Sequence, residues 1–338
     1  MSGMASASVP PVLSIIVPTY RDGSRIYGNL VKLDHALSVI GEPYEIIVVS
    51  DGNSDNTHDE ARRMDAPHVR VFHYARNMGK GFALRYGMVR SHGQIVTIID
   101  GDGDIDPAQI AAYVRIMRET DADIVVASKR HPDSQVVYPL ARRVYSMTYQ
   151  TLLRAFFNLK VRDTQVGLKL FKREALAAIL PRIVVKRYAF DLELLVVAHH
   201  LGYTRVVEAP VVIGQRFSST INRRAIMSIL WETAAIFYRK AILHYYDRSH
   251  APVPLHNLSA AMDSELSVAA DLDERQIARN VVRWVGEAGV RLIRRCYTFN
   301  RARVGHDIVE LQPGPGMAAR DVATDADSDT GSGWRASM

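Results

Sequence analysis

Five short runs of apolar, mostly β-branched residues punctuate the chain between residues 13 and 128: "LSIIV" (13–17), "EIIVV" (45–49), "VRVFH" (69–73), "IVTII" (95–99) and "DIVVAS" (123–128). Most show no polar alternation, the pattern of strands covered on both faces. Segments of helical length separate them. "TxxE" at Thr57 to Glu60 reads as a capping box, and Pro107 suits the first turn of the helix after the fourth run. Strand and helix in alternation predict an α/β domain, a mostly parallel sheet with helices on both faces. Ligands of such sheets collect beyond the carboxyl ends of the strands. The loops leaving these runs are therefore the places to look for chemistry.

After about residue 220 the pattern changes. Residues 223–247 predict an amphipathic helix with Ser228, Glu232 and Arg239 on one stripe and Ile226, Leu230, Phe237 and Ala241 opposite. A linker over 248–270 carries "HAPVP". A second, basic amphipathic helix is expected over 271–300, with Ile277, Val281 and Val285 on one side and Arg275, Arg279 and Arg283 on another. The domain itself occupies 12–222, behind a flexible N-terminus (1–11), and 305–338 has the composition of a disordered tail. No internal repeat is present.

With 338 residues, 48% of them hydrophobic, there is room for one sizeable domain and an appendage. Forty-two Lys and Arg against 36 Asp and Glu give a net charge of +6, which favours anionic partners without choosing between phosphates, nucleic acid and a membrane surface. No aromatic–basic interleaving and no helix-turn-helix stands out, so nucleic acid is not the expected partner. The single Cys296 excludes a disulfide framework within the chain and a cysteine metal cluster, and fits a reducing compartment. "MSGMASASVP" lacks the basic and apolar blocks of a secretory signal. No stretch reaches the ~18 to 20 apolar residues of a spanning helix, and "AIMSILWETAAIFY" (225–238) is interrupted by Glu232. The expectation is a cytosolic protein able to lie on a membrane.

The chemistry gathers behind the strands. "IIDGDGDID" (98–106) sets Asp100, Asp102 and Asp104 at alternate positions. In an extended chain alternate side chains point the same way, and hard oxygen donors so grouped suit Mg2+ or Mn2+ where substrate phosphates complete the shell. A solvated Asp/Gly turn that merely ends a strand is the plain alternative. "IIVPTYRDG" (15–23) supplies Thr19, Tyr20 and Asp22, able to stack on and bond a nucleoside, and "IIVVSDGNSDNT" (46–57) supplies Asp51 and Asp55. "RNMGKGFALRYGM" (76–88) sets Gly79 and Gly81 around Lys80 at a helix start, where backbone N–H groups favour phosphate.

"VPTYRD", "VVSDGNSD", "NMGKGFALRYGM" and "IDGDGD", in that order, resemble the family 2 glycosyltransferases with the GT-A nucleotide-sugar-binding fold. "DTQVGLKLFKREAL" (163–176) and "RYAFDLELL" (187–195) are similar to the branch that makes dolichyl- or polyprenyl-phosphate sugars, especially the dolichyl-phosphate glucosyltransferase type. The resemblance covers about residues 12–222. It implies that Pro18, Thr19, Tyr20, Asp22 and Asp51 contact the nucleoside, that Lys80 lies near it or its phosphates, and that Asp100, Asp102 and Asp104 hold the metal, Asp100 also meeting the nucleotide. It places Lys129, Arg142 and Arg216 near the phosphates with Ser218 and Ser219 as hydroxyl partners, and makes Gln165 a sugar contact. The chain departs from the family in having Arg21-Asp22 where Asn-Glu is usual, Ser50-Asp51 for two adjacent aspartates, and Lys129 where arginine is frequent.

Asp191 of "FDLELL" admits two roles: an acid facing the cleft that holds a sugar hydroxyl or acts as base, or a structural acid paired with Arg187 four residues earlier. His199 and His200 read as core or helix-end residues. The implied reaction is metal-dependent, inverting transfer of a hexose, glucose or an N-acetylhexosamine, from a UDP-sugar to polyprenyl phosphate. GDP-mannose as donor, or a glycan, protein or small-molecule hydroxyl as acceptor, are the alternatives. The two C-terminal helices would rest peripherally on the cytoplasmic face of a membrane, or pack on the sheet or against a second copy in a homo-oligomer.

Overall fold

The computed structural model describes residues 10–52, 55–136, 140–214, 223–247 and 254–271. The chain divides into units 1–272 and 273–338, and every described residue belongs to the first. The expected helix over 271–300 (beyond its first residue) and the tail over 305–338 lie outside the described residues, as do residues 1–9.

Elements alternate as the pattern predicts: β1 (Leu13–Thr19), α1 (Ile26–Ser38), β2 (Tyr44–Asp51), α2 (Thr57–Arg62), β3 (Val69–Tyr74), α3 (Lys80–Met88), β4 (Ile95–Ile98), α4 (Gln109–Glu119) and β5 (Ile124–Ser128). Then come α5 (Leu140–Phe157), β6 (Lys169–Lys172), α6 (Arg173–Ile179), α7 (Phe190–His200), β7 (Val206–Pro210), α8 (Arg223–Ala241) and α9 (Asn257–Asp271). Among the described residues one seven-stranded sheet forms, in the order β3-β2-β1-β4-β6-β5-β7. β1 pairs in parallel with β2 and β4, β2 with β3, and β5 with β7, whereas β6 runs antiparallel to both its neighbours.

The continuous apolar runs have the cause expected of them. Leu13, Ile15 and Val17 of β1 point into one core with α1 and α4, while Ile16 joins Ile47 and Val49 in the other, beneath α3 and α7. Both faces of the sheet are covered, so polar alternation would leave groups without water or partners.

Three local expectations are corrected, and two strands went unread. Thr57 does not cap α2: it is the helix's first residue, and its hydroxyl donates to Asp55 Oδ1 and accepts the Asp22 N–H. β6 and β7 were not legible as strands, "KLFK" being short and bearing two lysines. The stretch expected as a linker contains α9, with Met262 buried and Asp263 receiving bonds from Tyr86 and Arg90. Finally, α8 stops at Ala241 and turns a mixed face inward, with Ile236 and Thr233 buried, Phe237 packed on the core, and two residues of the polar stripe beside them. Glu232 accepts the Ala189 N–H at 2.7 Å and Arg239 donates to Glu193 at 2.8 Å, while Trp231 is 69% and Met227 64% exposed. The inner neighbour of α8 includes the loop over 184–189, whose backbone N–H groups need acceptors. That demand draws Glu232 and Arg239 to the inner side beside Ile236.

Candidate active site

The carboxyl ends of β1, β2 and β4, adjacent in the sheet, open on a cleft of about 620 Å3, a size common for small-ligand sites. Pro18, Thr19, Tyr20 and Asp22 reach it from β1, and Asp51 from β2. Lys80 reaches it from the start of α3, Asp100 and Asp102 from the turn after β4, Gln165 from the loop before β6, and Asp191 from α7.

Several of these acids are shaped by internal bonds. Asp22 folds back on its own loop, accepting the Tyr20 N–H at 3.2 Å and an Arg25 guanidinium N–H at 2.8 Å, around an Arg21 with φ +56°. Asp51 accepts the Tyr74 hydroxyl at 2.9 Å and the N–H groups of Met78 and Gly79 at 2.7 and 2.9 Å. Burial pushes its carboxyl upward further than those bonds hold it down. Asp51 thus ties the loop ahead of α3 to the cleft floor. Tyr20 stands 42% exposed at the rim, with the Arg21 guanidinium 5.1 Å from its ring centre.

Lys80 Nζ lies 2.6 Å from Asp100 Oδ1. Burial alone would lower its pKa, but the carboxylates of Asp100, Asp191 and Asp102 overcome that and hold the ammonium above its ordinary value. Asp102 accepts the Asp104 N–H at 3.1 Å. Its carboxyl is raised first by burial and then by the charges of Asp100 and Asp104, against Lys80 and that hydrogen bond.

The three aspartates are not arranged as an extended strand would set them. β4 ends at Ile98, and Gly103 at φ +78° turns the chain, so the aspartates do not alternate along an extended strand. Asp104 is not on the cleft, and no group of three His, Cys, Asp or Glu suited to a metal forms among the described residues. Asp100 and Asp102 do share the cleft wall. Two hard carboxylates beside space for a diphosphate fit Mg2+ or Mn2+, which commonly take one or two protein carboxylates and complete the shell from phosphate and water.

Asp191 does not pair with Arg187. It is buried, and its Oδ1 accepts a 2.7 Å hydrogen bond from Lys169 Nζ.

Comparison with known proteins agrees with this architecture. The glycosyl transferase family 2 model matches residues 14–180. A dolichyl-phosphate beta-glucosyltransferase of Trichomonas vaginalis is 30% identical over 259 residues, 71% of this chain and 75% of that one. This chain belongs to glycosyl transferase family 2. The Drosophila melanogaster dolichyl-phosphate beta-glucosyltransferase is 33% identical over 208 residues, 56% of this chain, which spans only 63% of that relative's length. Among solved structures, mannosyl-3-phosphoglycerate synthase of Rubrobacter xylanophilus aligns with a TM-score of 0.54 at 20% identity over 72% of this chain and 78% of that one. Glucosyl-3-phosphoglycerate synthase of Mycobacterium tuberculosis, crystallised with Mn2+, UDP and glucosyl-3-phosphoglycerate, aligns at 0.51 and 18% over 68% and 80%. At such identities the likeness is one of fold, the GT-A fold.

Of the basic and hydroxyl residues that the family 2 pattern also assigned, Lys129 alone has a described side chain. Lys129, at the end of β5, is absent from the lining; its N–H donates to Asp163 Oδ2 at 3.3 Å. Arg142 sits near the start of α5, where only the backbone is described, and Arg216, Ser218 and Ser219 lie outside the described residues. The glycines around Lys80 serve packing as well as ligand approach. A Cβ on Gly79 would meet the Lys186 carbonyl at 2.7 Å, one on Gly81 would meet Phe190 at 2.6 Å, and Phe82 N–H already donates to Lys186.

That crossing segment is what the sequence reading missed. Arg187 and Tyr188 line the cleft, and Glu193 accepts the N–H groups of Val184 and Val185 behind them at 2.9 and 2.7 Å. Gly79 and Gly81 were the available signal, since two glycines at a helix start demand a close neighbour.

Proposed function

We propose that this family 2 glycosyltransferase transfers a hexose, glucose foremost, from a UDP-sugar to polyprenyl phosphate with inversion, using Mg2+ or Mn2+. The observation that carries the reading is the meeting, on one cleft at the strand ends, of two carboxylates, Asp100 and Asp102, with two cations, Lys80 and Arg187. A nucleotide diphosphate is the ligand that needs both signs of charge. The relatives named dolichyl-phosphate beta-glucosyltransferase support glucose and a lipid phosphate, and the neighbour holding Mn2+ and UDP supports the donor class and cation.

In this reading Tyr20 and Thr19 bracket the nucleoside, and Lys80 and Arg187 meet diphosphate oxygens. Asp100 and Asp102 would hold the cation, which when bound offsets charge developing on the leaving diphosphate. The acceptor's phosphate has a second pKa of about 6, so its oxygen is already anionic near neutral pH. It attacks the anomeric carbon as the bond from that carbon to the diphosphate oxygen breaks, and UDP departs with the electron pair. No side chain has to remove a proton. The cations of the wall lessen repulsion between the two anionic reactants.

The membrane contact belongs to the same proposal. No described helix is long and apolar enough to cross a membrane. The exposed Met227, Leu230 and Trp231 of α8 support peripheral docking at the cytoplasmic face.

Labelled UDP-glucose, UDP-N-acetylglucosamine and GDP-mannose, each offered with polyprenyl phosphate and with hydroxyl acceptors, test the reaction, with and without chelator. The expected product is chloroform-soluble, acid-labile and formed from UDP-glucose only when a divalent cation is present. Transfer to hydroxyl acceptors alone would overturn the acceptor assignment.

A further inference from the structure

Lys169 has no exposed surface. It sits in β6 between Leu168 and Leu170, which point into one core, while its own side chain goes to the opposite face of the strand. A buried ammonium is costly unless its charge is met at close range, and here it is met twice. Nζ donates to the Val166 carbonyl at 2.6 Å and to Asp191 Oδ1 at 2.7 Å. A methionine would fill the same volume without that cost. The lysine therefore needs a reason beyond packing.

Asp191 supplies it. The carboxylate lies on the cleft wall with Gln165, Lys80 and Asp100. Its Oδ1 is committed to Lys169, while Oδ2 has no hydrogen-bond partner among the described residues. Ion pairing through one oxygen fixes the carboxylate plane and aims the other oxygen.

We infer that Lys169 is a positioning residue, which locks Asp191 so that Oδ2 accepts a hydrogen bond from a hydroxyl of the hexose being transferred. This rests on the reading of the cleft as a nucleotide-sugar site. Lys169 touches no reactant. It acts on discrimination between a donor carrying the correct hydroxyl and one lacking it, because a site built to bond a hydroxyl leaves a buried polar group unpaired when that hydroxyl is missing.

Isothermal titration in Mn2+ with UDP, UDP-glucose and the monodeoxy UDP-glucoses tests this on the full chain. Wild type should bind UDP-glucose more tightly than UDP and lose about tenfold or more for one particular deoxy analogue, the scale of a charged hydrogen bond. Lys169→Met should bind UDP within twofold of wild type yet no longer distinguish that analogue. Lys169→Arg, able to reach the same carboxylate, should restore part of the discrimination.

Lys169→Met takes from the buried Asp191 the cation bonded to it, leaving only the Lys80 that Asp100 holds, and is prone to unfold, so the double variant Lys169→Met/Asp191→Asn is the safeguard. With both charges gone it should melt close to wild type while remaining blind to the analogue. A folded Lys169→Met that keeps the wild-type pattern overturns the inference, as does a wild type indifferent to every deoxy analogue. Failure of wild type to bind either UDP or UDP-glucose is a different result, and removes the nucleotide-sugar reading together with it.

Discussion

Gly167 lies so close to Asp100 that a methyl group on it would stand 2.1 Å from Asp100 Oδ2. No real contact is that short, so a side chain at 167 must move either the loop before β6 or the carboxylate that Lys80 holds at 2.6 Å. The glycine of "DTQVG" is thus a space reserved for a cleft acid. Gly167→Ala should lower kcat/KM by roughly tenfold to a hundredfold, as ångström-scale misplacement does. Its melting temperature should stay within a few degrees of wild type. Steady-state kinetics beside a thermal melt separate the two, and unchanged kinetics would mean that Asp100 tolerates displacement.

Legibility followed burial. Strands β1, β2, β4 and β5 announced themselves because both faces are covered and their runs are almost wholly apolar, and edge strand β3 by its β-branched and aromatic residues. β6 did not, since Lys169 reads as a surface residue until Asp191 is found beneath it, and that pairing spans 22 positions. The cleft acids were readable from their position behind strands. Their turn was not, because the alternation of Asp100, Asp102 and Asp104 carries no information about where β4 ends. α8 misled for a related reason. Periodicity reports which residues share a face and says nothing about whether the neighbour is solvent or a loop with N–H groups to satisfy.

Glu45 predicts the acid limb of stability. Burial would raise its carboxyl, but the Ser14 hydroxyl at 2.6 Å, the His92 N–H at 2.5 Å and Arg70 at 2.7 Å together hold it below the usual range. A carboxyl depressed in the folded state stabilises the fold at pH values above its unfolded pKa, about 4.3 for glutamate. That stabilisation is lost as pH falls through the folded value. Unfolding free energy from denaturant titrations should therefore decline below about pH 4. Glu45→Gln should be less stable at pH 7 and show a shallower acid decline. An identical acid slope in the variant would assign that slope to other groups.

Arg239 and Glu193 bind α8 to α7 at 2.8 Å, with the Tyr246 hydroxyl on the same carboxylate oxygen at 2.6 Å. Glu193 has no exposed surface. Arg239→Ala would leave that charge buried with only neutral donors, so the expected loss is on the order of 2–3 kcal/mol, below the full cost of an abandoned buried ion because three donors remain. The Val184 and Val185 N–H groups bond Glu193 as well. The segment carrying Arg187 and Tyr188 should consequently exchange its amide hydrogens faster. Hydrogen exchange over residues 184–190 is the measurement; protection equal to wild type would show that α8 does not brace the cleft.

Trp231 and Met227 stand 69% and 64% exposed on a helix whose Ile236, Glu232 and Arg239 face the protein. Large apolar groups left outside while Glu232 and Arg239 go in leave that face with no aqueous role, and a lipid acceptor gives it one. Burying such a side chain contributes roughly 1.5–3 kcal/mol, so two of them govern about a hundredfold or more in partitioning to a bilayer. Trp231→Glu/Met227→Glu should lose flotation with anionic liposomes and activity on long-chain polyprenyl phosphate. Turnover with a short, water-soluble prenyl phosphate should stay within about twofold, since neither residue lines the cleft. Val39→Glu, 75% exposed at the end of α1, is the control for an apolar loss elsewhere. Flotation that survives the double substitution, or that Val39→Glu reduces equally, would move the membrane contact away from α8.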